Sequence, residues 1–466
     1  MKKMEAEANI IGVTPDVLEQ RYKKLVVSSN KLVFTITGDI KNVSGALLMK
    51  AGKSIDKDTC EKILRHKLLR PLDEYLQFTH PVTEATLVDD IIEAGHSLLM
   101  DTRLNLDGVV KSVTEIVKAL HYDKTVLNRL TVYKYDSADK FDHSLAVALL
   151  ANEIGKSLNY STHQLADLFS VCLFHDIGEM YLEKSIHGKD ELDEEDYRVI
   201  TTHPVLSYVI LRESNTVFNS QVLSAVLNHH ERLDQSGYPR SVGERHINRY
   251  ARIVALADTY DALRRKGRSA VDALWAIKIQ GHRRSIAGEA ITPAFDPQLI
   301  EVLQSLLTDT GDVAQDCDEV PFMEQKNQLH GLLDKLNSIN DDVVQLWQNV
   351  ESFLGADSYS RPARQLQQAQ IYLHKVKDLI LASSGIVGMN YDTLLSDETI
   401  VVDARKDLYR MAPELKNQLS RIKIMLSAID GHSRDSRLLQ LLSLNKSAYK
   451  KCSDLYREMV INSTVH

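Results

Sequence analysis

The sequence predicts a mainly α-helical chain that has one small β-containing segment near its N-terminus. From residue 84 onward, apolar side chains recur at helical spacing in most segments. The exception lies at 32–37, where β-branched and aromatic residues concentrate between turn-forming stretches. In the last third, apolar residues alternate steps of three and four. We therefore expect an N-terminal α/β segment at 1–83, a helical catalytic region at 84–310 and a helical bundle at 316–466.

The N-terminal segment divides into short elements. Residues 1 to about 28 have the pattern of a polar helical lead. A β-type run follows at 32–37, and a second apolar run at 46–49 comes after turn residues. The stretch from about 84 to 133 returns to helical spacing, so we expect it to pack onto the helices that follow.

The middle of the chain carries histidines and aspartates, which are suitable ligands for a divalent transition metal. Successive groups are about 26 to 32 residues apart, roughly the length of one helix, its connection and the next helix. Seven ligands are too many for one zinc ion, which takes four protein ligands in structural sites and three in catalytic sites. The sequence therefore predicts two divalent ions that share a carboxylate. The seven residues are His143, His175, Asp176, His203, His229, His230 and Asp258.

Each of these residues alone also has a structural explanation. His203 before Pro204 could begin a helix, and Asp258 or Asp261 could be a cap or a buried hydrogen-bond acceptor. A structural role for the whole set is disfavoured, because buried imidazoles and carboxylates without partners are costly.

Residues 141 to about 300 resemble an HD-GYP domain, which belongs to the bacterial branch of the HD phosphohydrolases. The resemblance rests on ordered motifs at family-like spacing. They are Phe141-Asp142-His143-Ser144, His175-Asp176-Ile177-Gly178, His203-Pro204, His229-His230-Glu231-Arg232, Ser236-Gly237-Tyr238-Pro239, the run from Arg252 to Asp258, and Phe295-Asp296-Pro297. It implies an all-helical HD-type domain with two divalent ions, iron or manganese and sometimes a third, that hydrolyses cyclic di-GMP to linear pGpG, GMP or both.

The resemblance also implies which residues hold the ions. The first ion would be held by His143, His175, Asp176 and Asp258, and the second by His203, His229 and His230. Asp176 would bridge both ions. Two such ions lower the pKa of the water between them, so that it is present as hydroxide. The ions also neutralise the charge that builds on the phosphodiester.

Further residues are weaker candidates for the same chemistry. Asp139 lies one helical turn before His143 and could serve a third ion. Lys189 stands where the family has a second lysine, so it joins Asp176 as a catalytic candidate.

The substrate-binding candidates are Arg232, Gly237, Tyr238, Pro239 and Arg252. A guanidinium is favoured for phosphate contact, although both arginines could equally form ordinary ion pairs. Ser-Gly-Tyr-Pro is also suitable sequence for a structural loop.

Two positions depart from the family pattern. Glu179 replaces a lysine, so an anion either lies near the scissile phosphate or turns toward a metal. Gln235 replaces a glycine before the Gly-Tyr-Pro motif. These departures favour a second hypothesis, an HD-GYP module that binds metal and nucleotide, has weak or lost hydrolysis and acts by protein contacts. A third hypothesis is an HD phosphohydrolase for another nucleotide.

Composition is typical of a cytoplasmic protein. The net charge of −8 over 466 residues argues against a nucleic-acid polymer as partner, because such partners normally require a basic face. The four cysteines are scattered and indicate neither a disulfide framework nor a zinc ribbon. Apolar runs are too short for a membrane span, and the start of the chain does not resemble a signal peptide.

The C-terminal third predicts four helices that could close an antiparallel bundle. The apolar seam at 329–353 recurs at 366–380, 415–429 and 438–459, with glycine-containing breaks between the segments. Acid, base and phosphate-binding groups do not converge there, so we expect a structural, dimerising or signal-coupling role. The same seam would suit an intramolecular bundle or a homodimer. Other signalling proteins are the expected partners besides cyclic di-GMP.

Overall fold

The computed structural model describes most of the chain before residue 308 and parts of it after that. The described ranges are 15–29, 31–53, 57–99, 106–182, 194–280, 292–307, 337–346, 416–423 and 436–464, with isolated residues between 331 and 349. The chain divides into two compact units. The first takes Met1–Glu231, Gly237–Lys266 and Glu301–Thr308, and the second takes Arg232–Ser236, Gly267–Ile300 and Asp309–His466.

The mainly α-helical expectation is confirmed. The described helices are α1 (Pro15–Ser28), α2 (Lys57–Arg65), α3 (Glu84–Leu99), α4 (Leu106–Lys118), α5 (Lys124–Asp136), α6 (Ala138–Ser157), α7 (Thr162–Phe174), α8 (Glu194–Ile200), α9 (His203–Arg212), α10 (Ser220–Asn228), α11 (Arg249–Arg265), α12 (Ala270–Gln280), α13 (Pro297–Leu306) and α14 (Ser436–Thr464). Short 3-10 turns occupy Leu72–Tyr75, Ile177–Tyr181 and Glu244–His246. Within the ranges given above, none of the helices combines the length and the apolar character needed to cross a membrane.

The small β-containing segment near the N-terminus is also confirmed. Its strands are β1 (Phe34–Ile36), β2 (Ile40–Lys41), β3 (Leu47–Met49) and β4 (Leu76–Phe78). Strand β1 pairs antiparallel with β4 and places Phe34 opposite Phe78, while β2 pairs antiparallel with β3. Two-stranded sheets are marginal alone, so burial of residues such as Ile36 and Leu76 stabilises them.

Helix α6 forms the centre of the first unit. It packs against α7, α11 and α3, and its residues from His143 to Gly155 are all buried. A helix that is buried on every face lies in the interior of a domain. His143 is therefore carried by a buried stretch of α6.

Side-chain caps determine where the neighbouring helices begin. Ser161 and Gln164 form a capping box at the start of α7. Asn219 accepts hydrogen bonds from two backbone amides of α10, and Asn248 accepts one from Ala251 in α11. Each such cap stabilises a helix by about 1 kcal/mol. Because the starts are fixed, the ends of α7 and α10 present His175 and His229 at defined positions.

A buried ion pair joins the N-terminal segment to the helices of the first unit. Nε of Arg129 in α5 lies 2.6 Å from Oδ2 of Asp73, and both side chains are largely buried. The same guanidinium lies over the ring of Tyr22 in α1, 5.4 Å from its centroid. Arg21 donates a hydrogen bond to the backbone oxygen of Tyr181. Helix α1 is thus attached directly to the turn Ile177–Tyr181.

In the C-terminal third, described positions on the predicted seam are buried. Ile339, Val343, Leu346, Leu419 and Ile422 are all at most 1% exposed. The seam at 366–380 lies outside the described residues. The four-helix antiparallel bundle and the division at 83, 310 and 316 therefore remain predictions.

Candidate metal centre

The carboxylate of Asp176 lies between two sets of histidines. Its Oδ1 is 3.1 Å from Nε2 of His203 and 3.4 Å from Nε2 of His229. Its Oδ2 is 3.3 Å from Nε2 of His175 and 3.9 Å from Nε2 of His143. Each oxygen therefore faces a different set, which is the geometry that a bridging carboxylate needs.

The predicted ligands form two groups. Within each group, the candidate ligand atoms lie within 4.8 Å of one another. The first group is His143, His175 and Asp258, and the second is Asp176, His203, His229 and His230. All of these side chains are buried except that of His230, which is half-buried. The structure thus brings all seven sequence-predicted ligands into these two groups. Asp176 falls in the second group, and its Oδ2 lies 3.3 Å from Nε2 of His175 in the first.

Three of the histidines share one orientation. Nδ1 of each donates to the backbone oxygen three residues earlier, at 2.7 Å: His175 to Cys172, His203 to Ile200 and His229 to Val226. Each of these histidines lies at the end or the beginning of a helix. A hydrogen bond at Nδ1 fixes the tautomer and leaves the Nε2 lone pair for a metal.

The contact between His203 and His229 tests whether a cation fits. Their Nε2 atoms lie 3.3 Å apart. If both imidazoles were neutral in this orientation, their Nε2 lone pairs would point at each other. The contact therefore requires a proton or a metal cation between the two rings. Burial lowers the pKa of both rings, but Asp176 outweighs burial at His203 and raises its pKa, while the pKa of His229 is lowered. Mixed imidazole and carboxylate donors suit divalent iron or manganese, so the residues fit the expected ions.

His143 is held by two carboxylates. Its Nδ1 lies 2.5 Å from Oδ2 of Asp261, and its Nε2 lies 3.1 Å from Oδ1 of Asp258. Burial opposes protonation of this ring, but the hydrogen bonds to Asp258 and Asp261 outweigh it and raise the pKa of His143 to about 10. Burial alone would likewise raise the pKa of Asp258, but His143 and His230 lower it below its ordinary value.

The Gly-Tyr-Pro loop lies against the second group. The ring of Tyr238 is 4.6 Å from that of His230 and 6.2 Å from that of His203, measured between centroids. The backbone amide of Tyr238 donates to the oxygen of His230. Burial, followed by the neighbouring His229, lowers the pKa of His230 well below its ordinary value. A neutral His230 is the form that binds a metal.

Glu231 anchors the far side of this loop. Its Oε1 accepts a hydrogen bond from the backbone amide of Arg240 at 2.8 Å, and its Oε2 accepts one from Val242 at 3.0 Å. The Arg240 guanidinium donates to Asn228 at 2.6 Å. The third residue of the His-His-Glu motif thus fixes the loop and not the metal.

Gly178 allows the turn after Asp176 to pack closely on α9. A Cβ atom at this position would clash with the backbone of His203 and would lie 2.8 Å from Cβ of Leu206. The amide of Gly178 donates to Oγ of Ser207 at 2.9 Å. The glycine of the His-Asp-x-Gly motif therefore brings Asp176 and His203 together.

Two carboxylates that the sequence suggested as further ligands lie in neither group. The side chain of Asp139 is exposed, because the start of α6 turns Lys140 and not Asp139 toward the interior. Glu179 is buried, but its Oε2 lies 2.8 Å from Nζ of Lys140 and the residue does not join either group. A third ion at Asp139 and a ligand role for Glu179 therefore remain predictions.

The predicted substrate residues have varied surroundings. The Arg252 guanidinium donates to the oxygens of Ile247 and Glu244, which ties it to the turn Glu244–His246. The Arg232 guanidinium lies 4.7 Å from the ring centroid of Phe295. Lys189 lies outside the described residues.

Comparison with known proteins identifies this region. Residues 120–299 match a family model described as "HD domain". This region is an HD domain. The "Cyclic di-GMP phosphodiesterase PdeB" of Borreliella burgdorferi is 30% identical over 122 residues, which are 26% of this chain and 32% of that protein. The "3'3'-cGAMP-specific phosphodiesterase 1" of Vibrio cholerae is 37% identical over 125 residues, 26% of this chain and 28% of its own length.

A third relative has the same extent of similarity. The "Cyclic di-GMP phosphodiesterase" of Thermotoga maritima is 31% identical over 139 residues, 30% of this chain and 37% of that protein. The match therefore spans 28% to 37% of the length of these curated relatives. The resemblance of the HD domain to HD-GYP proteins, predicted from its motifs, is confirmed at this level.

Sequence reasoning missed several functional contacts. The sequence suggests Asp261 only as a cap or buried acceptor, although it lies three residues after Asp258 on one helix, a spacing that puts both on one face. Lys140 lies three residues before His143 on the same principle. Helical spacing could have suggested both residues. The loop contacts of Glu231 carry no comparable sequence signal.

Proposed function

We propose that the HD domain is a metal-dependent phosphodiesterase that hydrolyses cyclic di-GMP to linear pGpG, GMP or both. The observation that carries the proposal is the position of Asp176, whose two oxygens face two different groups of imidazoles. A site of this form suits two divalent ions close together, the arrangement used for in-line displacement at phosphorus.

Within this proposal, His143, His175, Asp176 and Asp258 hold one ion, and His203, His229 and His230 hold the second together with Asp176. Iron or manganese is the expected metal. When bound, the ions activate water for attack and neutralise charge that develops on the phosphodiester. The protein orients the ligands: Asp261 holds His143, and backbone oxygens hold the other rings.

The substrate class follows from the relatives. Two of them are named for cyclic di-GMP and one for 3'3'-cGAMP. These compounds differ in one purine base, so the shared chemistry is a cyclic dinucleotide with two phosphodiesters. We place cyclic di-GMP first and 3'3'-cGAMP second.

The substrate-contact residues belong to the same proposal. Tyr238 is favoured because its ring lies against His230 and His203, and Gly237 and Pro239 flank it. Arg252 is a weaker candidate, since its donors already serve backbone and side-chain oxygens. Arg232 and Lys189 remain candidates from the motif alone.

A second candidate function is supported by Glu179. An acidic residue three positions after Asp176 favours a module that binds metal and nucleotide but turns over slowly and acts through protein contacts. Tight nucleotide binding without product would distinguish it from the phosphodiesterase. An HD phosphohydrolase for another nucleotide would bind neither cyclic dinucleotide.

The outer regions are proposed to regulate or assemble the domain. We place the catalytic region at 84–310, after the N-terminal segment, and assign the helices at 316–466 to dimerisation or signal coupling. Cytoplasmic location belongs to the same proposal.

The test uses the full-length protein loaded anaerobically with iron or manganese. Metal content is measured first, and then cyclic di-GMP, 3'3'-cGAMP and cyclic GMP are supplied and the products separated by chromatography. We expect two ions per chain and conversion of a cyclic dinucleotide to a linear product. His163→Ala is the control for the loss of a histidine. His163 is exposed on α7, whereas His175, a predicted ligand, follows the same helix. Full metal loading with no conversion of any of the three would contradict the proposed activity.

A further inference from the structure

The ion pair between Lys140 and Glu179 lies beside the metal centre but does not take part in it. Lys140 stands three residues before His143 in α6, and Glu179 stands three residues after Asp176. Nζ of Lys140 lies 2.8 Å from Oε2 of Glu179. The pair therefore links the two backbone segments that supply ligands to the first ion and the bridging carboxylate.

We propose that Lys140 is the cation that binds a phosphate oxygen of the substrate, and that Glu179 is the positioning residue that holds it at the metal centre. This inference rests on the proposed function, because it assigns a contact to the phosphodiester that the metal centre would receive.

The first support is the position of the Lys140 ammonium, 2.8 Å from the carboxylate of Glu179 in the turn that follows Asp176. Burial by itself lowers the pKa of its ammonium, but the nearby Glu179 and Asp176, with Asp258, outweigh burial and raise that pKa. The two aspartates are among the predicted metal ligands and belong to different elements. The ammonium therefore stays charged at neutral pH, and both aspartates favour that charge.

The second support is the accessibility of the two side chains. Lys140 is 40% exposed, whereas Glu179 is only 9% exposed. An ammonium has three N–H donors, and the ion pair needs one of them. The buried carboxylate thus restricts the lysine from one side and leaves donors for an anion that arrives from solvent.

The third support comes from a comparison with three other cations of the first unit. The Arg265 guanidinium binds Asp261, and Arg252 is tied to the turn Glu244–His246. Lys134 binds both oxygens of Asp90. Each is engaged in holding the protein. Lys140, in contrast, forms an ion pair with Glu179 alone among the residues that the structure describes, and its ammonium interacts with Asp176 and Asp258.

This arrangement also changes the meaning of Glu179. An unpaired carboxylate there would repel a phosphodiester, but a carboxylate paired with Lys140 does not. Lys140 in α6 supplies the positive charge that a lysine at position 179 would otherwise provide. The departure from the family pattern is thereby compatible with substrate binding.

An ordinary surface ion pair is the competing explanation, and the chain offers a matched control for it. Lys156 and Glu153 form a similar pair at the other end of α6, with Nζ 3.0 Å from Oε1 and exposures of 39% and 6%. Surface pairs of this kind contribute little to stability. Replacing either lysine should therefore leave the fold and the metal content unchanged, and only Lys140 should affect the substrate.

The experiment compares Lys140→Gln, Lys140→Arg and Lys156→Gln in the metal-loaded full chain. For Lys140→Gln we expect KM for cyclic di-GMP to rise about tenfold or more, which is the loss of one charged hydrogen bond. Metal content should stay at the wild-type value. Lys140→Arg should recover most of the loss, and Lys156→Gln should behave as wild type. Glu179→Gln should give a smaller rise in KM, because the cation stays but is no longer held.

A charge exchange separates positioning from bulk charge. Lys140→Glu should bind substrate worse than Lys140→Gln, and adding Glu179→Lys should restore binding, because the pair is then rebuilt with the cation on the other element. Wild-type turnover together with an unchanged KM in Lys140→Gln would overturn the inference and leave the proposed function intact. If the wild type does not turn over, the affinity for cyclic di-GMP is measured by calorimetry: weaker binding by Lys140→Gln supports the inference, and equal affinity overturns it. Absence of both turnover and binding in the wild type would overturn the proposed function and this inference together.

Discussion

Oδ2 of Asp261 lies 2.5 Å from Nδ1 of His143, and the same oxygen accepts a hydrogen bond from Nε of Arg265. Asp261 is not a predicted metal ligand, yet it determines how the His143 ring is oriented. Carboxylates in this position fix the tautomer of a ligating histidine and increase its basicity.

Replacement of Asp261 should therefore weaken the binding of the first ion. We expect Asp261→Asn to lower metal affinity roughly 10- to 100-fold, the usual effect of removing such a partner. Metal titration of the variant measures it, and circular dichroism checks the fold. Asp167→Asn, which changes a carboxylate on α7 that accepts a hydrogen bond from Asn219, is the control. Equal metal affinity in Asp261→Asn and wild type would remove Asp261 from the site.

The raised pKa of His143 predicts a pH dependence. In the metal-free protein the pKa is about 10 against an ordinary value of 6.5, so the charged ring stabilises the fold below pH 6.5. This contribution is lost as the pH rises through about 10. A metal must displace the proton, so metal binding at pH 8 should release it and should tighten as the pH rises.

Calorimetry in buffers of different ionisation enthalpy counts the protons released by metal binding. The wild type should release at least one proton at pH 8, and His143→Gln should release fewer. Equal proton release by the two proteins would show that His143 is already neutral in the metal-free state.

The buried pair of Arg129 and Asp73 should matter for stability and not for chemistry. Arg129→Met leaves the Asp73 carboxylate buried without its partner, which costs about 3 to 5 kcal/mol of unfolding free energy. Adding Asp73→Asn should recover part of the loss. The exposed pair of Arg70 and Glu74 is the control, where Arg70→Met should cost less than about 1 kcal/mol. Denaturant titration measures all of them, and similar losses in both single variants would contradict the account.

The second unit offers a test of the predicted seam. Val343 is buried, so Val343→Asp places a charge where it is poorly solvated and should destabilise that unit by several kcal/mol. Gln345→Asp, at an exposed position in the same stretch, should be neutral. Metal content should stay unchanged in both variants. Loss of metal from Val343→Asp would show that the C-terminal helices help to build the centre.

Much of the centre could be predicted from the sequence, because residue type and spacing identify metal ligands directly. His229 and His230 are adjacent on the chain, and Asp176 follows His175, so their association needs no knowledge of the fold. The helices could be predicted for a similar reason, since apolar spacing along α6 and α11 is a local property. The ends of helices were harder to place. His203 and His229 lie at helix termini, where a backbone oxygen three residues earlier orients the ring.

The remaining contacts could not be predicted because they depend on how distant segments pack. Lys140 and Glu179 are 39 positions apart, and only the packing of the turn Ile177–Tyr181 beside α6 brings them together. Asp139 and Lys140 are equivalent in sequence terms, each about one turn before His143. In the structure Asp139 is exposed, whereas Lys140 forms an ion pair with Glu179. Helical periodicity alone does not predict this difference.

The central claim is that Asp176 is shared by two metal ions, and Asp176→Asn tests it most directly. The amide keeps the size of the side chain but lacks the charge that would bridge two cations. Metal analysis of the anaerobically loaded protein should find two ions per chain in the wild type and a loss of both, together with turnover, in the variant. Two tightly bound ions and normal turnover in a folded Asp176→Asn protein would contradict the account.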